Sequence, residues 1–363
     1  MNAQSRLRML YSAAVLAVVV SVMSCSDSDD DRKTLMEELS AIELDKYIDT
    51  VPYMSHEPYG SDPTWEIYSF DTSVCKCITG NSFHIGVKSK SATDNVVFLM
   101  SGGGACWPGR ESCSETADFM TGWDDVTGNP LNGWSVIHVP YCDGSVHMGD
   151  NDADYDGDSA ADHFHRGLQT TSAGLAIMRE LFPNPPKIFI TGCSAGGYGT
   201  FIAYLLNRRF FPDSSMYILN DSGPGLSNPD NGMITLVKDA WQYMQYMPSS
   251  CSRCGDQLMH LYDWILQRDP MARIGLFSSY HDRVIGGSFL DMADEDFRDL
   301  LVSTSDEIRS RHPGRFSRFL IEGDTHCVGE VAGGYSYAVG SVTLLEWITQ
   351  LVNDDPDWPD VLE

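Results

Sequence analysis

The residues best able to do chemistry lie in Gly192-Cys193-Ser194-Ala195-Gly196, a serine bracketed by glycines directly after the apolar run Ile188-Phe189-Ile190. Such a G-x-S-x-G, between a buried strand and a helix that carries Tyr198, Phe201, Ile202, Leu205 and Leu206 at helical spacing, sets a serine hydroxyl on a sharp turn. A hydroxyl there becomes a nucleophile only when a histidine removes its proton, and that histidine needs a carboxylate to fix its tautomer. Asp282 and His326 follow in chain order, each just after an expected strand. Asp221, at the end of the strand after the serine's helix, is a rival acid, and His281 and His84 are rival bases. The flexible Gly102-Gly103-Gly104 follows another apolar strand, 96–100. Its N–H groups at Gly103 and Gly104, with that of Ala195 at the helix start, form an expected oxyanion hole. Trp107 and Tyr141 are candidate pocket walls.

These residues must be held by alternating strands and helices. Expected strands cover 96–100, 134–141, 187–190, 216–219, 274–279 and 316–321, after an early antiparallel hairpin at 65–70 and 82–87. Intervening helical patterns imply a mostly parallel central sheet with helices on both faces. The order Ser194, Asp282, His326 is that of the α/β-hydrolases. An aromatic helical stretch at about 224–270 is expected to cap the site, and the catalytic domain is expected to span 64–363.

The ends and the loops carry further signals. Arg6 and Arg8 precede an apolar run to Met23, which reads as a signal peptide over 1–25 with a lipobox-like end at Cys25, and the expectation is a membrane tether through lipidated Cys25. Residues 26–63 read as an acidic tether and linker helix. Among the 363 residues, 51 acidic against 24 basic side chains give a net charge of −27, which excludes nucleic acid as a partner. Ten cysteines in an exported chain imply disulfides, with Cys106 and Cys113 closing a short loop and Cys193 expected free. Cys251 and Cys254 would close a tighter loop. Asp152, Asp154 and Asp156, followed by Gly157, match half of an EF-hand loop and form a weak calcium candidate, since His163 stands where the glutamate belongs. No metal or other cofactor is required by the rest of the pattern.

The segments 101–113, 139–150, 191–200 and 220–223, with the Asp282 and His326 regions, resemble the pectin acetylesterase family, which includes the Notum-type carboxylesterases. The resemblance implies an α/β-hydrolase-like esterase with the triad Ser194, Asp282 and His326. It also implies the Cys106–Cys113 bridge and one from Cys142 to either Cys75 or Cys77. The expected activity is an exported serine carboxylesterase that removes acetyl groups from a carbohydrate polymer. A deacylase of longer acyl esters and a catalytically silent glycan-binding lipoprotein are the competing readings. The expected location is the cell surface or outer membrane, otherwise secreted.

Overall fold

The computed structural model describes residues 26–119, 128–328 and 337–363, with side chains from residue 34 onward. The signal-peptide and Cys25 expectations lie outside the described residues. The chain runs through α1 (Ser26–Ala41), β1 (Ser55–Tyr59), β2 (Asp62–Ser69), β3 (His84–Lys88) and β4 (Val96–Met100). A small hairpin follows, β5 (Gly104–Trp107) and β6 (Arg110–Cys113), then β7 (Ser135–Val139) and a second hairpin, β8 (Asn151–Ala153) and β9 (His163–His165). Next come α2 (Gly167–Leu181), β10 (Lys187–Cys193), α3 (Ala195–Phe210), β11 (Ser215–Asp221), α4 (Met233–Trp241) and α5 (His260–Arg268). β12 (Ala272–Ser279), α6 (Asp294–Arg311), β13 (Phe316–Ile321), β14 (Ala338–Val339), β15 (Val342–Thr343), α7 (Leu344–Val352) and β16 (Val361–Leu362) complete it.

Ten strands form one sheet in the order β1-β2-β3-β7-β4-β10-β11-β12-β13-β16. The three pairings from β1 to β7 are antiparallel and the rest parallel, so the fold is α/β-hydrolase-like as expected. The central strands are apolar on both faces because both are covered. Phe98, Ile190, Ile218, Ile274 and Leu320 point into one core with α2, α3 and α5. Val97, Phe189, Tyr217, Phe277 and Phe319 alternate into a second core under α7, whose Trp347 packs beside Trp358.

Two boundaries differ from expectation. The segment read as tether and linker helix is packed: Leu35, Leu39, Leu44 and Ile48 are buried in the first core, and α1 lies against α3 and α5. Nor does the sheet wait for Thr64, since β1 and the start of β2 precede it. At the expected cap, α5 belongs to the layer beneath the sheet, packed on α1, α6 and β12, while α4 lies over β5 and β8. The acidic loop is stitched to both ends of this layer, because Lys46, Tyr47 and Tyr246 all donate to the Asp150 carboxylate.

Candidate active site

The turn at Ser194 is built by the close approach of two strand ends. A side chain on Gly192 or Gly196 would strike the carbonyl of Met100 at the end of the neighbouring β4, so only glycine fits. Ser194 itself has φ 56° and ψ −118°, a conformation rare for a residue with a Cβ, fixed by its N–H donating to the Asp221 carbonyl at 2.9 Å. It is 8% exposed, and Ala195 opens α3, so the Ala195 N–H has no partner within the helix.

His326 and Asp282 come together from neighbouring strand ends. The imidazole Nδ1 lies 2.8 Å from Asp282 Oδ2, with the carboxylate buried and the ring 18% exposed. The other oxygen, Oδ1, accepts the N–H groups of Val284 at 2.9 Å and Ile285 at 3.0 Å, because Asp282 caps a π-helical turn, Arg283–Phe289. These three contacts hold the carboxylate in one orientation. With Nδ1–H committed to Asp282, Nε2 is left to accept a proton.

The rival residues are placed elsewhere. The Asp221 carboxylate accepts the N–H of Val328 at 3.0 Å, and Ser222 Oγ, which donates to Asp221 Oδ1 at 3.1 Å, accepts the Cys327 N–H at 3.1 Å. Asp221 thus holds the backbone of the histidine loop. The ring of His84 sits edge-on to Phe119, where burial lowers its pKa, and His281 has a buried Nδ1 without a hydrogen-bond partner among the described residues.

The cysteine beside the serine is not free. Cys193 is bonded to Cys327, which follows His326, across a sequence separation of 134. Expecting a free thiol inside a tight turn overlooked that the loop after β13 crosses that turn. A ring nitrogen of His326 lies within 4.8 Å of both sulfurs, and with those sulfurs joined the group offers no thiolate for a metal. The other bridges are Cys77–Cys142, Cys106–Cys113 and Cys251–Cys254, leaving Cys75 as the free cysteine among the described residues.

The glycine loop is braced from behind. Gly102 lies directly against Ser194, such that a Cβ on it would be 3.0 Å from the serine Cβ. Gly103 accepts the Ser114 N–H at 2.7 Å through its carbonyl, and Gly104 has φ 78°, so the chain turns sharply into β5. Tyr141 is packed beneath Gly103, and its hydroxyl accepts the Val146 N–H at 3.1 Å, which makes it a support of this loop. Trp107 is buried against Trp241 and Phe289, at ring separations of 6.4 and 5.9 Å, and Phe289 in turn meets Tyr198 at 5.6 Å.

Three supports went unnoticed in the sequence. His147 donates from Nε2 to the Ser101 carbonyl at 2.9 Å, burial lowers its pKa, and Asp143 stands 3.9 Å from its Nδ1. Ser222 braces the histidine loop. The available signals were the alternation of Asp143, Ser145 and His147 straight after a strand, and the paired placement of cysteine next to both Ser194 and His326.

The acidic loop assembles differently from the expected calcium set. Asp152 is held by Arg166 through two hydrogen bonds of 2.8 and 2.6 Å, which removes it from the group. Asp154 and Asp156 instead come together with Asp162, while Asp154 also accepts the N–H groups of Gly157 and Ser159. His163 is turned onto Asp162 and Tyr155.

Comparison with known proteins agrees with the resemblance read from the motifs. Residues 124–250 match the family model described as Pectinacetylesterase, a stretch that contains Tyr141, Ser194 and Asp221 and ends before Asp282. Among solved structures, the Wnt deacylase Notum from Drosophila is similar with a TM-score of 0.55 at 14% identity, covering 86% of this chain and 96% of that one. No curated protein matches the sequence.

Proposed function

We propose that this protein is an exported serine carboxylesterase that removes acetyl groups from a carbohydrate polymer. The observation that carries the reading is the 2.8 Å bond between His326 Nδ1 and Asp282 Oδ2, beside a serine held on a strained strand-to-helix turn. Ser194 Oγ attacks the ester carbonyl while His326 Nε2 takes its proton. The N–H groups of Ala195, Gly103 and Gly104 meet the negative charge that develops on the carbonyl oxygen. His326 then returns the proton to the departing alcohol, leaving an acyl group on Ser194. Water repeats the sequence in reverse and frees the serine. The family match supports ester hydrolysis as the reaction class.

The acetyl assignment draws on the aromatic cluster that reaches Tyr198, one helical turn beyond Ser194 on α3. Trp107, Tyr198 and Trp241 are each at most 6% exposed and pack against one another or Phe289, an arrangement that favours a short acyl group over a long one. A neutral glycan suits a chain at −27: of the basic residues that could form a patch for an anionic polymer, Arg110, Arg166, Arg283 and Lys238, Arg166 and Arg283 are each paired with a carboxylate and Arg110 lies over the Trp107 ring at 5.0 Å. Four disulfides agree with an oxidising compartment. Within this reading Cys25 carries the lipid that tethers the protein to a membrane.

The test compares kcat/KM for acetyl, butyryl and octanoyl esters of one alcohol, with Ser194→Ala as the blank. Acetyl should be fastest. A rate that climbs steadily to octanoyl would transfer the protein to the long-acyl deacylases, and no serine-dependent hydrolysis or fluorophosphonate labelling would leave a glycan-binding lipoprotein.

A further inference from the structure

We infer that the Cys193–Cys327 disulfide is a positioning strap that keeps the base over the nucleophile, and that a dithiol reductant lowers activity by cutting it. The inference rests on the proposed roles of Ser194 and His326. Cys193 ends β10 immediately before Ser194, and Cys327 immediately follows His326, so one covalent bridge joins the two reacting side chains with a single peptide bond intervening on each side. Both cysteines are buried, and a ring nitrogen of His326 lies within 4.8 Å of both sulfurs.

The remaining hold on the loop is non-covalent. Thr325 is tied through its carbonyl to Ser279 Oγ at 2.7 Å, and Cys327 and Val328 donate to Ser222 and Asp221. Cys327 also has φ 64°, a left-handed backbone that a residue with a Cβ keeps only where its surroundings impose it. Freed from Cys193, Cys327 loses the constraint that opposes its return to an ordinary conformation, and His326 moves with it. Misplacement of a reacting group by about 1 Å costs on the order of 100-fold in rate.

Cutting the strap is a balanced thiol–disulfide exchange. One thiolate of the dithiol attacks a strap sulfur to give a mixed disulfide and a cysteine thiolate. The second thiol then displaces the other cysteine, so two electrons and two protons pass to the protein and the reductant leaves as a cyclic disulfide.

The experiment uses the full chain carrying Cys193→Ala with Cys327→Ala, beside Cys251→Ala with Cys254→Ala as a control bridge remote from the site. The strap variant should lose about 10- to 100-fold in kcat with KM within about twofold, and fluorophosphonate labelling should slow by the same factor. Hydrogen exchange should quicken at the Cys327-position and Val328 amides and stay unchanged across β10 to β13. The control pair should keep its kcat. Wild-type protein treated with dithiothreitol, alkylated and mass-mapped, should lose activity in step with opening of the 193–327 bridge, which gives the same reading if the variant does not fold. A kcat within twofold of the parent after opening, unchanged exchange at those two amides, or a loss accompanied by exchange across the whole sheet would overturn the strap. If the parent shows neither hydrolysis nor labelling, the hydrolase reading fails by itself and amide exchange alone decides whether the bridge fixes the loop.

Discussion

The Val328 N–H donates to the Asp221 carboxylate at 3.0 Å, two residues beyond the histidine that bonds to Asp282. Two buried acids therefore serve one loop, one through its backbone and one through its imidazole. Asp282→Asn should cost about 10⁴-fold in kcat, because an amide at that position favours the wrong tautomer of His326. Asp221→Asn keeps an acceptor for Val328 and should cost about tenfold or less, with a loss of roughly 1 to 3 kcal/mol in stability. Steady-state kinetics and urea unfolding on both variants check this, and a larger kcat loss at Asp221 would reverse the assignment.

Ser194→Ala and His326→Ala should each lower kcat by on the order of 10⁴ to 10⁶, and the double variant should be scarcely worse than either, since the pair acts as a unit. Additive losses would contradict a shared proton transfer.

Burial pushes the Cys75 thiol up to about 12, so it should resist iodoacetamide at pH 8 in the folded protein and react fully once unfolded. Mass mapping of the native protein should return the four bridges and this one slow thiol. Rapid labelling of Cys75 under native conditions would mean that the core around it opens.

Two buried histidines set a pH dependence of stability. Burial holds His138 down at about 3 and His165 at about 4, below the value of about 6.5 for an unfolded chain. The unfolded state therefore binds these protons first as the solution is acidified. Stability should fall as pH drops from about 6.5 toward 4, by up to about 1.4 kcal/mol per pH unit for each histidine. Urea unfolding between pH 4 and 7 measures the slope, and His138→Gln, which retains a hydrogen-bonding group for the Ser101 hydroxyl, should flatten it. A slope unaffected by that change would place the acid sensitivity elsewhere.

The sheet was readable because its central strands are apolar on both faces. Val96–Met100 and Phe316–Ile321 are runs of five and six residues, too short for a helix and apolar apart from Ser317 and Arg318 in the latter. The approach of Asp282 to His326 was readable too, since each follows such a strand and parallel strands deliver their ends to one edge. What escaped depended on contacts between loops far apart in sequence. Nothing local in Cys193 announces Cys327, and the Asp221 carboxylate finds its partner 107 residues away. Arg166 likewise captures Asp152, a competition that a spacing rule for calcium loops does not contain. The packing of α1 was obscured by its acids, which outnumber the few leucines that decide its burial.

Under the proposed lipidation of Cys25, the packing of α1 also sets the reach of the protein. With helix from Ser26 onward and Leu35 already in the core, a lipid on Cys25 would stand about ten residues from fixed structure, or roughly 15 Å at the rise of an α-helix. A leash that short leaves little room to roam. It would confine the protein to polymer lying flat against its own membrane and present the same side of the catalytic domain to that surface at every encounter.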